Sequence, residues 1–478
     1  MGIKKICVTI LFALIAFTAC GSNANEEEYD NVQTELTLNV QIPHAYYRIF
    51  RQAERDMSSA LEPYGVDFNL EINYYTFDDD FVEVHMRLQT MLMAGQGFDI
   101  FLWDSHPIRR FANAGLLTDI YDLIDNHPTT SRDDFNTNIL QAFEMSNGLY
   151  SFPLSFGFEY IGINRSLPQS IYERFTAHDV ITISEIMSLY FYLQEYYADD
   201  FSHFGMINRG YAMTLLEILP IVMADFIDFD SRTSNLDHPS FISALDDMGR
   251  LFIGTDISMI HHRADPLPTS EYFDWAFYEY AFVNLSRRFS PLVMMFDMLD
   301  VGFSHFIPIA NSDGNLLIDP HPWSGRTPVW AKLCIPRAGN GDLAWEFILH
   351  LNQSVTNLTN INDSAQINIM TSLATPITNA HFRHHITTVI ERISQPPYQE
   401  LLSPFPVFNN GGLRENDIEN ALNALDTLNN MPAQVIEAEL LWLLDDNPNV
   451  FMDFFMGVTT AQETARDLHN MVSLWLIE

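Results

Sequence analysis

Trp103, Asp104, Ser105 and His106 follow one another at the end of a short apolar run from Asp99 to Trp103. An indole beside a carboxylate, a hydroxyl and an imidazole can stack on a flat, hydroxyl-rich molecule and hydrogen-bond its rim. A core tryptophan under a loop is the alternative, since large rings are usually buried. Trp323, Ser324, Gly325, Arg326 and Trp330 offer the same chemistry, with a guanidinium fork that could hold vicinal hydroxyls or a carboxylate. Surface-loop polarity is the competing reading there. In the aromatic-rich stretch 265–290, Trp275 and Tyr278 are three apart and would share a helix face, where core packing competes with a binding role. His44 and Tyr46 stand at the exit of the first strand pattern. Glu159 closes a polar, glycine-containing step from Ser155.

Catalytic and cofactor signatures do not appear among these residues. The chain has no G-x-S-x-G elbow, no H-E-x-x-H, no P-loop and no glycine-rich fingerprint after a strand, so no cofactor is implied. His381, His384 and His385 have helical spacing but no carboxylate beside them, which is a poor metal set. The acidic run Asp228 to Asp237 lacks the glycine and terminal glutamate of a calcium loop and reads as a surface turn. A glycosidase carboxylate pair is invisible to spacing, so that activity stays open.

The elements that must position these side chains follow from periodicity. Leu36, Leu38, Val40 and Ile42 alternate as a first strand, Tyr47 to Leu61 reads as a helix, and Phe68, Leu70, Ile72 and Tyr74 alternate as a second strand. Asp78 or a neighbour caps the next helix, which Gly95 and Gly97 end. The run to Trp103 is apolar on both faces, as in a parallel sheet with helices on either side, and a helix starts near Pro107. Strand, helix, strand, helix, strand is a doubly wound α/β beginning, whose ligands bind at the carboxyl edge of the strands. Helical spacing dominates from Ser184 to Arg250, Val301 to Pro308 is a strand, and Thr460 to Glu463 is a capping box before a final helix.

Composition narrows the class. A chain of 478 residues is too long for one core, so two domains are expected. The formal charge of −38 becomes −40 once Lys4 and Lys5 are removed, and such a surface repels nucleic acid and anionic lipid. Lys4 and Lys5, the apolar run Ile6 to Phe17 and the close Thr18-Ala19-Cys20 make a signal segment. Its run is roughly 18 Å as a helix, short of a bilayer core of about 30 Å. Residues 20–33 are polar and acidic, a solvated tether. With Cys7 and Cys20 accounted for, only Cys334 remains and no intramolecular disulfide can form.

The stretch Leu88 to Ile120 resembles the helix, strand and loop near the front of bacterial extracellular solute-binding proteins, the receptors of ABC importers. Phe98 to Trp103 followed by Gly115, Leu116 and Leu117 is similar to the maltose-binding branch of that family, where the aromatic ending the strand stacks on sugar. Gly148 to Pro168 resembles the family's first crossover between lobes, with Glu159 at the cleft floor. Val329 to Ile335 resembles the second crossing strand, Pro336 to Leu351 the helix after it, and Gly457 to Leu468 the last helix. The first twenty residues resemble a lipoprotein signal acylated at Cys20, a plain secretory signal being the alternative.

The resemblance implies an α/β, two-lobed periplasmic-binding-protein-like fold of type II, each lobe a central sheet flanked by helices, joined by hinge crossovers. It places residues 34–156 with 296–329 in the N-terminal lobe and 157–295 with 330–478 in the C-terminal lobe. It implies a non-enzymatic receptor, held by lipid on the extracellular face of the cell membrane, that delivers a small solute, a sugar or oligosaccharide, to ABC permease subunits. The ligand-contacting candidates are then His44, Tyr46, Trp103, Asp104, Ser105, His106, Glu159, Trp275, Trp323, Arg326 and Trp330, with no metal. A lipid-anchored glycoside hydrolase and a surface lipoprotein without a transport role are the alternatives from other classes.

Overall fold

The computed structural model describes residues 34–75, 81–102, 108–145, 148–156, 160–164, 166–201, 205–207, 211–252, 281–286, 303–318, 332–357, 375–376, 430–435, 440, 443–444 and 447–477. The expectations for Cys20, the cap near Asp78 and the histidines 381–385 lie outside these residues. The chain falls into two compact units, Met1–Ser155 with Arg326–Met370 and Pro376–His385, and Phe156–Gly325 with Thr371–Thr375 and Ile386–Glu478.

The first unit is built on a five-stranded sheet. Strand β1, Thr34–Pro43, runs parallel to β2, Val66–Tyr75, in register from Thr34 opposite Val66 to Pro43 opposite Tyr75. On its other side lies β3, Ile100–Leu102, also parallel, with Val40 opposite Ile100. All three residues of β3 are buried, as a strand covered on both faces requires. The helix Tyr47–Leu61 buries Phe50, Ala53, Met57 and Leu61, one stripe at helical spacing. Phe50 and Phe68 both meet Phe347 of the helix Gly341–Asn357, at 5.7 and 5.9 Å between ring centroids, so these helices share one face of the sheet. Against the other face pack Leu88 and Leu92 of the helix Phe81–Met93, in one cluster with Tyr75, Phe101, Phe111 and Cys334.

That helix stops where expected. Gly95 has φ +62°, a left-handed conformation that a side chain would strain, and Gln96 N–H donates to Met91 O at 3.0 Å. The Asp99 carboxylate then accepts from Asn39 N–H of β1 and from Asn340 N–H, each at 2.8 Å. One side chain thereby fixes the start of β3 against both β1 and the turn before the helix Gly341–Asn357.

The return segments differ from the expected lobes. Residues from Arg326 to Met370, assigned by sequence mostly to the C-terminal lobe, belong to the first unit: the strand Lys332–Cys334 pairs antiparallel with β3 on one side and with β4, Phe152–Pro153, on the other. Conversely, residues up to Gly325 that were given to the N-terminal lobe belong to the second unit, because the strand Phe303–Pro308 pairs with Tyr160–Asn164 there. The reason is local pairing: Leu333 and Cys334 are fully buried and complete the first sheet, while Ile307 completes the second core.

In the second unit the order is Phe303–Pro308, Tyr160–Asn164, Ala281–Ser286, Gly205–Ile207. Tyr160–Asn164 is buried throughout and antiparallel to both neighbours. Its core joins Ile161, Phe175, Leu193, Ile218, Phe241 and Leu468 from the strand and five surrounding helices. Two of those helices begin in capping boxes, Thr182 with Glu185 and Thr460 with Glu463. The acidic run is a turn, as read: Asp228 accepts from the backbone N–H of Asp230 and Ser231 at the tip of a short hairpin.

Candidate functional site

Because β1, β2 and β3 are parallel, their carboxyl ends at Pro43, Tyr75 and Leu102 share one edge of the first sheet. In open α/β sheets that edge is where ligands bind. An aromatic group stands there. His44, the first residue after β1, is exposed and lies 4.9 Å from Tyr74 and 6.2 Å from Tyr47 between ring centroids. Tyr47 and Tyr74 meet edge to face at 5.9 Å. Tyr74 is 53% exposed, so the group presents ring surface to solvent.

A polar scaffold holds these rings. Arg51, one helical turn after Tyr47, donates from Nε to Tyr47 Oη at 3.2 Å and lies 5.2 Å from its ring centroid. Its Nη1 donates to Glu54 Oε2 at 2.8 Å and to Leu70 O at 2.9 Å, while Glu54 Oε1 accepts from Leu70 N–H. Burial works against the guanidinium charge, yet the bonds to Glu54 and Tyr47 raise its pKa above the ordinary arginine value. With the Arg51 charge balanced by Glu54, exposed rings held in this way suit a neutral, hydroxyl-bearing guest whose C–H faces pack on them.

Of the candidates named from sequence, His44 is in this group. Tyr46 is not: it is 5% exposed, its ring turned away from solvent, and Tyr47 and Tyr74 supply the surface instead. Trp103, Asp104, Ser105 and His106 follow β3 in sequence and lie outside the described residues, as do Glu159, Trp275, Trp323, Arg326 and Trp330. Tyr74 was placed by sequence in the apolar face of β2. The signal available was its position one residue from the end of that strand pattern, and the structure leaves its ring exposed beside the start of the helix Tyr47–Leu61. Among the described residues no group of His, Cys, Asp and Glu could hold a metal ion, and no helix is long and apolar enough to cross a membrane.

Comparison with solved structures fixes the class of fold. The chain has the two-lobed, periplasmic-binding-protein-like α/β fold. It is similar to the sugar-binding protein MalE of Xanthomonas citri, with a TM-score of 0.56 at 13% identity over 92% of this chain and 98% of that one. It is similar also to an extracellular solute-binding protein family 1 from Alicyclobacillus acidocaldarius, at 0.53 and 11% over 93% and 99%. A third is the cyclic alpha-maltosyl-1,6-maltose binding protein of Arthrobacter globiformis, at 0.51 and 12% over 92% and 99%. No family model matches the sequence, and no curated protein matches it.

Proposed function

We propose that this chain is a solute-binding receptor of an ABC importer, held outside the cell by lipid on Cys20, which captures a sugar or oligosaccharide with its two lobes and passes it unaltered to permease subunits. The observation that carries the reading is the exposed ring group His44, Tyr47 and Tyr74 at the carboxyl edge of a parallel sheet, in a chain of this fold. The fold's similar structures are named as sugar-binding and maltosyl-maltose-binding proteins, which supports both the ligand class and a role without catalysis. Trp103, Asp104, Ser105 and His106 belong to the same edge by sequence, and Glu159, Trp275, Trp323, Arg326 and Trp330 are the further contacts we assign. Contacts made to both lobes would favour the closed state, the form offered to the permease.

An affinity near micromolar needs about −8 kcal/mol, within reach of a few stacked rings and a set of hydroxyl hydrogen bonds. The test is calorimetric titration of mono- and oligosaccharides into the wild type and Tyr74→Ala. Loss of one stacking ring should weaken binding about tenfold, equivalent to about 1.4 kcal/mol, with thermal unfolding unchanged. Equal affinities in the two proteins would remove this edge from the site.

A further inference from the structure

A separate cavity of about 350 Å³ lies wholly within the second unit. Its size falls in the lower range of small-molecule sites. Ile183, Ile221, Val222 and Phe226 give it apolar lining, and Asp225, His238, Ser240 and Ser312 give it polar groups. Neither Lys nor Arg lines it, which disfavours an anionic guest.

The polar groups offer acceptors and donors together. Asp225 accepts from Ser312 N–H at 3.3 Å on both carboxylate oxygens and also from the Ser312 side chain, long backbone bonds that leave acceptor positions for a guest. The residue is exposed, yet the atoms crowded around the cavity mouth limit hydration of its carboxyl, and its pKa is raised. His238 Nδ1 accepts from Ser240 N–H at 3.2 Å, so in the neutral ring the proton sits on Nε2 and makes that atom a donor. The His238 and Phe226 rings are 6.3 Å apart and inclined by 31°, giving a flat flank. Thr182 and Asn311 also line the cavity, but their side chains are committed to the Glu185 capping box and to Gln434, Asp313 and Asn315. They shape the site and do not read the guest.

A cationic guest would need acceptors only. A guest whose every polar group both donates and accepts needs this mixture, with apolar lining for its C–H face. We infer that the Asp225–His238 cavity is a second binding site, for one neutral polyhydroxylated ring or chain of monosaccharide or polyol size. It shares no residue with the sheet edge of the first unit, so it stands whether or not that edge binds sugar.

Saturation-transfer difference spectra with glucose, galactose, mannose, sorbitol and xylitol test this on four proteins: the wild type, His44→Ala/Tyr74→Ala, Asp225→Asn and Ser240→Trp. Asp225→Asn keeps shape and removes the carboxylate; Ser240→Trp fills the cavity from an exposed position, and thermal melts confirm that each folds. At least one probe should give a signal that survives His44→Ala/Tyr74→Ala and falls at least tenfold in both Asp225→Asn and Ser240→Trp. The inference is overturned if no probe signal survives loss of the edge rings, or if the surviving signal is the same in Asp225→Asn and Ser240→Trp.

Discussion

His350 lies one helical turn beyond Glu346, whose Oε1 meets His127 Nε2 at 2.8 Å in the interior of the first unit. Burial lowers the His350 pKa, more than Glu346 and Asp56 raise it. The unfolded chain therefore takes up a proton near the ordinary value of about 6.5 while the folded chain does not until lower pH, so stability falls as pH drops through that window. The slope from this one group is at most about 1.4 kcal/mol per pH unit. Urea unfolding at pH 7.5 and 5.5 should show a smaller difference for His350→Gln than for the wild type; an identical difference would mean the group titrates alike in both states. Cys334 is fully buried and its thiol is pushed up to about 12 by loss of hydration. Protein beginning at Gly21 should give no reaction with a thiol reagent when native and one thiol per chain in guanidinium. The count of one was readable from sequence, but the burial was not, since Cys334 is enclosed by residues such as Phe101 and Phe111 more than two hundred positions earlier.

Elements whose stability comes from local pattern were legible to within a residue or two. The helix Tyr47–Leu61 carries its own amphipathic stripe, β1 its own alternation, and the helix Ala461–Ile477 its own capping box. What leaves no periodic mark is distant pairing. Val329 to Ile335 resembles a crossing strand, and the resemblance places residues from 330 onward with the C-terminal lobe; only the hydrogen bonds of Lys332–Cys334 to β3 and β4 show that this strand belongs to the first unit. The same is true of Asp99, which sequence shows as the first residue of a strand and structure shows joining three segments. Asp99→Ala leaves two backbone N–H groups without this acceptor and should cost roughly 1–3 kcal/mol. Asp99→Asn keeps one acceptor oxygen and should cost less, as chemical denaturation would show; equal losses would place the effect in packing. Of the site, the strand ends that present it were readable, whereas the choice of Tyr74 over Tyr46 depended on which ring the helix covers.

At the scale of the molecule, two sheets of different topology each own a core, and the chain passes between the units at Ser155–Phe156, Gly325–Arg326, Met370–Thr371, Thr375–Pro376 and His385–Ile386. A formal charge of −38 repels polyanions and leaves room for a neutral or cationic guest. A receptor should be stabilised by that guest without changing it. Ligand at a hundredfold excess over Kd adds about 2.7 kcal/mol to the stability of whatever binds it. The direct measurement is thermal unfolding of the protein from Gly21 onward across a panel of mono- and oligosaccharides, with each sugar recovered and chromatographed afterwards. The account predicts that at least one sugar raises the melting temperature by several degrees and comes back intact. No shift with any sugar, or a shift accompanied by a shortened sugar, would contradict it.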